Sequence, residues 1–309
     1  VHVGIPARGT GKTKKKLELP DNIPKIDDIY EDPVCSTFLL CGTHEDLLDA
    51  MILIVADHEK QKMTIISIPR DLCYRNLKIN YTYRKYGIDR LLEDLSWITG
   101  IRIQHYLMID MFAFIEVIDI IGGIDVILDK DLVDPTYKTR DCARWSYLSY
   151  KKGMHHLSGV QALRVARSRH YTSDFDRAGR QQKIVEALNE KLKSLSIVDM
   201  KKIYDLIQTL VKYVKTNLSP LEFVAHFARL KNYGVDSQNV LDKSNVLRSS
   251  YYYVWLRNGR GSENTVSREN EKNKQDEQSK LGPYILIPRN DDWNLIRWYI
   301  RVVLLSVSE

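Results

Sequence analysis

Cysteine is scarce in this 309-residue chain: Cys35, Cys41, Cys73 and Cys142 are the only four, and no two have the CxxC spacing of a zinc module. The fold therefore does not depend on a disulfide framework. Cys35 and Cys41 could pair only if their Cα atoms came within about 7 Å, and buried free thiols are the expectation. Long apolar runs are missing as well. Met51-Ile-Leu-Ile-Val-Ala56 is broken by charge far short of the roughly 20 residues that span a bilayer. The basic start is followed by Leu-Glu-Leu-Pro rather than by the apolar region of a signal peptide. Neither Gly-x-Ser-x-Gly nor His-Glu-x-x-His occurs, so no nucleophilic-serine or zinc-protease motif competes for the chemistry. Gly9-Thr-Gly-Lys-Thr13 lacks the earlier glycine of a phosphate-binding P-loop, because position 6 is Pro.

What is present is the composition of an ordinary globular protein: 44% hydrophobic residues and 46 Lys+Arg against 40 Asp+Glu, a net charge of +6. A chain of this length buries about 75% of its unfolded surface, enough for a large core without staples. The positive charge lacks a nucleic-acid reader motif, so no nucleic-acid partner is expected. Residues 1–34 read as a basic, proline-punctuated extended leader, suited to an anionic membrane surface or to a solvated tether. Residues 35–309 read as one α/β unit with a C-terminal extension.

The periodicities place the elements. Phe38–Leu40, Met51–Val55 and Thr64–Ile68 are strand-like, the last two forming a hairpin. Leu91, Leu92, Leu95 and Ile98 repeat at helical spacing, as do Met111, Phe114, Ile115 and Ile118, which Gly122-Gly123 terminates before a strand over Ile124–Leu128. Ser158-x-x-Gln161 and Ser219-Pro220-x-Glu222 are capping boxes, the second opening a helix with Leu221, Val224, Phe227 and Ala228 on one apolar face. Ile184, Leu188, Leu192 and Leu195 mark a longer helix. Residues 262–280 read as a mobile loop or insertion, and Tyr251–Leu256 alternates like a strand. Tyr284–Pro288 and Trp293–Leu305 resume strand and helix and should dock on the core.

Two segments carry chemistry. Ser67-Ile-Pro-Arg-Asp71 sits at a strand end, with Lys78 shortly beyond, and Arg70 offers a planar fork suited to phosphate. Arg167, Arg169, Arg177 and Arg180 crowd into 14 residues, and an extended backbone would put Arg167 and Arg169 on one face. Such guanidinium groups repel one another unless an anion or acidic partners lie between them. Asp49, Asp71 and Asp174 are interspersed with them. Cations for a pyrophosphate beside carboxylates for a divalent ion are minimal equipment for phosphoryl transfer.

The order Asp49-Ala-Met, Ser67-Ile-Pro-Arg-Asp71, Lys78-Ile-Asn80, Gly122-Gly-Ile-Asp-Val126, Leu157-Ser-Gly-x-Gln-Ala-Leu163, Ala166-Arg-Ser-Arg-His170 and Asp174-Phe-x-Arg-x-x-Arg-Gln-Gln182 resembles the LytR-CpsA-Psr family. The resemblance runs from about Phe38 to Leu195. It implies an α/β/α sandwich around a central mixed sheet, and an extracytoplasmic, membrane-anchored enzyme whose anchor would lie upstream of Val1. It further implies transfer of a glycopolymer from a polyprenyl-pyrophosphate carrier to peptidoglycan or another wall hydroxyl, with an apolar pocket for the lipid. Carried over by position, Arg70, Arg167, Arg169 and Arg177 bind pyrophosphate with Gln181 and with Lys78 as a neighbour. Asp49 ligates magnesium, with manganese as the alternative. Asp174 is the hypothesised base.

Three positions depart from the family pattern: His44 where a carboxylate is usual, Leu47 for an arginine, and Asp176 for a glycine. Glu45 and Asp46 are the candidate substitutes for the carboxylate at 44. The departures motivate the alternative of a non-catalytic binder of lipid pyrophosphate or wall polymer.

Overall fold

The computed structural model describes residues 25–305 except 27, 45–46, 142–143, 169–173, 195–198 and 258–281. Most of the leader, Arg169, and the loop expected at 262–280 lie outside the described residues.

The chain opens with β1 (Cys35–His44), β2 (Leu47–Asp57) and β3 (Lys62–Ser67), then a small hairpin of β4 (Cys73–Tyr74) and β5 (Leu77–Lys78). Helices α1 (Ile79–Tyr86) and α2 (Ile88–Thr99) lead to β6 (His105–Asp110) and α3 (Met111–Ile120). Next come β7 (Ile124–Leu128), β8 (Leu132–Asp141), β9 (Arg144–Tyr150) and β10 (Gly153–Leu157). Then follow α4 (Gly159–Arg167), α5 (Asp174–Lys193), α6 (Met200–Tyr213), β11 (Val214–Thr216) and α7 (Pro220–Leu230). The chain closes with β12 (Gly234–Val240), β13 (Leu247–Tyr251), α8 (Tyr252–Arg257), β14 (Tyr284–Pro288) and α9 (Trp293–Leu305).

Six strands form a mixed central sheet in the order β11-β6-β1-β2-β3-β12. The β2–β3 hairpin is antiparallel, whereas β6 joins β1, and β12 joins β3, in parallel. Alternation along the strands gives the sheet two apolar faces. Leu39, Cys41, Leu53, Val55 and Ile66 pack with Leu91, Leu95 and Ile98 of α2 and Leu295, Ile296 and Ile300 of α9. Against the other face lie α3, α5 and, beyond them, α4 and α6. The result is the expected α/β/α sandwich. The three described cysteines are free thiols.

Local chemistry explains the element ends. Asp110 caps α3 by accepting from Ala113 N at 2.8 Å. Gln161 Oε1 accepts from Ser158 N at 2.9 Å, and Glu222 Oε2 from Ser219 N at 2.8 Å. A Cβ on Gly159 would collide with the carbonyl oxygen of Ile115, so this glycine lets α4 start against the backbone of α3.

The structure corrects three expectations. Tyr251 ends β13, and residues 252–257 turn helical because Tyr252 and Trp255, one helical turn apart, pack together against Cys73, Ile285 and Ile287. In α7, Leu221 and Val224 are exposed, and Phe223 and Leu230 make the core contact instead, because they reach Phe38, Met63 and Tyr233. Arg167 is the last helical residue of α4 rather than part of an extended run, since the capped helix carries through to it. The last described stretch of the leader is docked. Ile26 is buried, and its carbonyl accepts from Arg297 Nη1 at 2.5 Å.

Candidate active site

The site forms where β1 and β2 lose their regular pairing. Gly42 faces Ala50, but Thr43 faces Leu48, so Asp49 is the extra residue of a β-bulge. Bulges re-aim side chains. Asp49 here meets Arg70, which follows β3, with Nη1 donating to Oδ1 at 2.8 Å. Arg70 Nε lies 3.8 Å from Asp71 Oδ2 and is buried without a hydrogen-bond partner. A buried guanidinium donor without a protein acceptor is suited to an anion oxygen. Lys78 donates to Asp71 Oδ1 at 2.6 Å, and it lines neither of the two cavities described below. It reaches the site only by holding Asp71.

Helix α5 supplies the other wall. Asp174 opens it, Arg177 follows within the first turn and is 5% exposed, and Gln181 lies one turn on. Gln181 Nε2 donates to Ala166 O at 3.3 Å, tying α5 to the end of α4. Arg167, at that end, directs Nη1 onto Met111 Sδ at 2.7 Å. Arg180 turns away to serve the scaffold. It donates to the carbonyls of Val165, at 3.0 Å, and Ser168. Burial lowers its pKa from the ordinary arginine value, opposed by Asp176 and Asp134. Ser168 Oγ donates to Asp134 Oδ2 at 2.9 Å, fixing the chain just after Arg167.

These side chains border two neighbouring spaces that share lining residues. One is a cavity between the sheet and helices α3, α4 and α5. Leu40, Ile52 and Ile109 form its floor, and Phe114, Leu163 and Ile184 its roof. Gly42 and Ala50 are small where the floor would otherwise be filled. His44, Asp49, Asp110, Arg167 and Gln181 also line it. The second is a more polar cleft bordered by Asp49, Arg70, Asp71, Phe175, Arg177, Gln181 and Lys243. Asp49, Ala50 and Gln181 belong to both.

The structure therefore gathers Asp49, Arg70, Arg167, Arg177 and Gln181, while Arg169 lies outside the described residues. Asp174 is placed by its backbone at the start of α5, whose N-terminal dipole favours anions. Sequence reasoning missed Lys243 and the cavity floor, and Lys243 gave no signal as an isolated charge in a polar stretch.

Cys41, against the cavity floor, has its thiol pushed up to about 12 by burial, which removes it as a nucleophile. Among the described residues no group of three acidic, histidine or cysteine side chains is placed to hold a metal. Asp49, the carboxylate shared by the two spaces, is the position the sequence assigned to a metal, and here it is engaged by Arg70. No helix among the described residues is long and apolar enough to cross a membrane.

A mixed sheet thus covers an apolar cavity whose polar margin carries guanidinium groups. The chain belongs to the LytR_cpsA_psr family, which it matches over residues 38–269. It is 32% identical over 187 residues to the polyisoprenyl-teichoic acid–peptidoglycan teichoic acid transferase TagV of Bacillus subtilis, covering 57% of this chain and 46% of that protein. Identity to TagU of Bacillus cereus, which carries the same transferase description, is 26% over 226 residues, 69% of this chain and 70% of that one. The chain thus spans about half the length of the first curated relatives it matches. The crystal structure of B. subtilis TagV superposes with a TM-score of 0.63 at 23% identity, over 89% of this chain and 98% of that one. TagT bound to LIIa-WTA superposes with a TM-score of 0.59 at 19% identity, over the whole of both chains.

Proposed function

We propose that the protein transfers a glycopolymer from a polyprenyl-pyrophosphate carrier to a hydroxyl of peptidoglycan or another wall glycan, on the outer side of a membrane. The observation that carries this reading is the junction at Asp49, Ala50 and Gln181 of an apolar cavity with a cleft lined by Arg70 and Arg177. A polyprenyl chain fits the first space and its pyrophosphate the second. The transferase descriptions of TagV and TagU support the same direction.

In this mechanism Arg70, Arg167, Arg177 and, by position, Arg169 hold the non-bridging phosphate oxygens, with Gln181 ordering the margin. Their preorganised donors stabilise charge that develops on the phosphoryl oxygens. Asp174 accepts the proton of the acceptor hydroxyl. The hydroxyl oxygen bonds to the phosphorus bearing the glycan, and the bridging P–O bond breaks to release polyprenyl phosphate. Asp49 would hold magnesium or manganese together with phosphate oxygens, and the ion would supply charge neutralisation.

The Asp49–Arg70 ion pair also favours a second reading. A carboxylate already neutralised by an arginine is a weaker ligand, consistent with a binder of lipid pyrophosphate that does not turn it over. Binding and turnover of a short-chain polyprenyl-pyrophosphate glycan decide between the two, with magnesium, manganese or chelator, in wild type, Asp49→Ala, Arg167→Ala and Asp174→Asn. Metal-dependent turnover lost in folded variants is the expected result. Binding without turnover establishes the second reading, and no binding overturns both.

A further inference from the structure

The stretch from β7 to β10 forms two antiparallel pairs in succession, β7 with β10 and then β8 with β9, which make a bent ribbon. Leu128 faces Gly153 at the end of the β7–β10 pair, and Leu132 faces Tyr150 where β8 and β9 continue it. Its inner face is ordinary core: Val126, Leu128, Leu132, Leu148 and Leu157 pack with Ala162, Val165 and Ala166 of α4. Its outer face is unusual. Ile127 pairs with Met154, and these side chains are 61% and 73% exposed. Along the same face come Val133, then Tyr147 opposite Lys138, then Trp145, with Trp145 73% and Tyr147 59% exposed. Isolated exposed apolar residues need no explanation, but a row of them on one face of one ribbon marks an interaction surface.

We infer that this outer face is a docking surface for an anionic lipid bilayer. Tyrosine and tryptophan are the residues that settle at the boundary between headgroups and hydrocarbon. The charges point to the same occupant. Among the ribbon's described acids, Asp129 is paired with Lys183 at 2.6 Å and Asp131 with Lys151 at 2.8 Å, while Asp125 shares a hydrogen bond with His156 at 2.7 Å. Asp134 is buried. Lys138 and Lys152 stand exposed, suited to anionic headgroups.

The ribbon is also rigidly joined to the site. Asp134 Oδ1 accepts from Thr136 N at 3.1 Å and Tyr137 N at 3.0 Å, holding the bulge where β8 departs from regular pairing. Asp134 Oδ2 holds Ser168, next to Arg167. Lys130 at the ribbon's bend reaches Asp176 of α5 at 3.4 Å. A surface resting on the bilayer would thereby hold the apolar cavity in a fixed relation to the membrane that contains its lipid substrate. The choice of a bilayer over other partners rests on the proposed lipid-linked donor.

The test is co-sedimentation of the 309-residue chain with phosphatidylcholine vesicles that contain or lack phosphatidylglycerol, for wild type, Trp145→Ser/Tyr147→Ser, Met154→Ser and Lys138→Glu. Wild type should bind the anionic vesicles, less at high salt, and the double variant should bind roughly tenfold more weakly. All variants should keep the wild-type melting temperature and turnover of a water-soluble short-chain donor. Wild type that ignores the vesicles, variants that bind as wild type does, or the same residues mediating sedimentation with peptidoglycan sacculi instead would each overturn the docking surface. Turnover in solution without vesicle binding sinks this inference alone. Vesicle binding with no affinity for the donor sinks the transferase reading and leaves the surface standing.

Discussion

At the level of single residues, the arginines near 167–180 share a sequence signature but divide into two jobs. Arg177 lines the polar cleft, whereas Arg180 spends its donors on the Val165 and Ser168 carbonyls. Sequence could show that cations gather there, because their number is local information. It could not show which would be turned inward, because that depends on the angle at which α5 meets α4. Asp49 was legible as a candidate, but its bulge was not, since a bulge is a relation between two strands. Arg70 offers the sharpest residue-level prediction. Arg70→Lys keeps the charge and a bond to Asp49 but loses the fork and its buried Nε donor. Turnover of a lipid-pyrophosphate donor should fall about 10- to 100-fold, mainly in kcat. An unchanged kcat would remove Arg70 from the transferring phosphate.

Among the elements, the strands of the central hairpin, the capped starts of α4 and α7, and the glycine stop of α3 were readable because each rests on neighbouring residues. The errors fell where tertiary partners chose the face. Phe223 and Leu230 won over Leu221 and Val224 in α7 because Tyr233 and Met63 lie on their side. The hollow between sheet and helices was equally invisible, for Gly42 and Ala50 reveal their smallness only when β1, β2 and α5 are stacked. Filling it tests the lipid reading. Leu163→Trp should place a bulky ring in the cavity away from the polar cleft, raising KM severalfold for a long-chain donor while leaving a short-chain donor nearly unaffected. Equal effects on both would argue that the cavity does not hold the lipid. Gly159→Ala should act on the same stack differently. Because a Cβ would strike Ile115 O, chemical denaturation should show a loss of about 1–3 kcal/mol as α3 and α4 are forced apart.

Over the whole molecule, the sheet carries the candidate site at one end of β1 and a second polar environment at the other. There His58 Nε2 lies 2.7 Å from Ser36 Oγ and His58 Nδ1 lies 3.0 Å from Tyr233 OH. The rings of His105 and His226 stand 4.9 Å apart, both against Phe38. Burial lowers the pKa of all three histidines. Arg229 and His226 add to the effect at His58, where Asp57 opposes it, and His226 adds to it at His105, where Glu222 opposes it. At His226, Glu222 opposes burial and Arg229 reinforces it. Glu222 is itself held below the usual carboxylate value by its bonds to Ser219, so it stays ionised while the histidines titrate. A base with a lowered folded pKa binds its proton better when unfolded. The stability it leaves intact above the ordinary histidine value is therefore lost as pH falls from that value toward the folded one. The melting temperature should be flat above about pH 7 and decline toward pH 5, by on the order of 2–4 °C for each kcal/mol lost. His226→Phe keeps an aromatic ring beside Phe38 and His105 but removes one titrating group and its repulsion of the other two. Thermal melts from pH 5 to 8 should show a shallower acid decline in this variant. A decline identical to wild type would move the acid sensitivity out of the packing of α7 against β1 and into other groups.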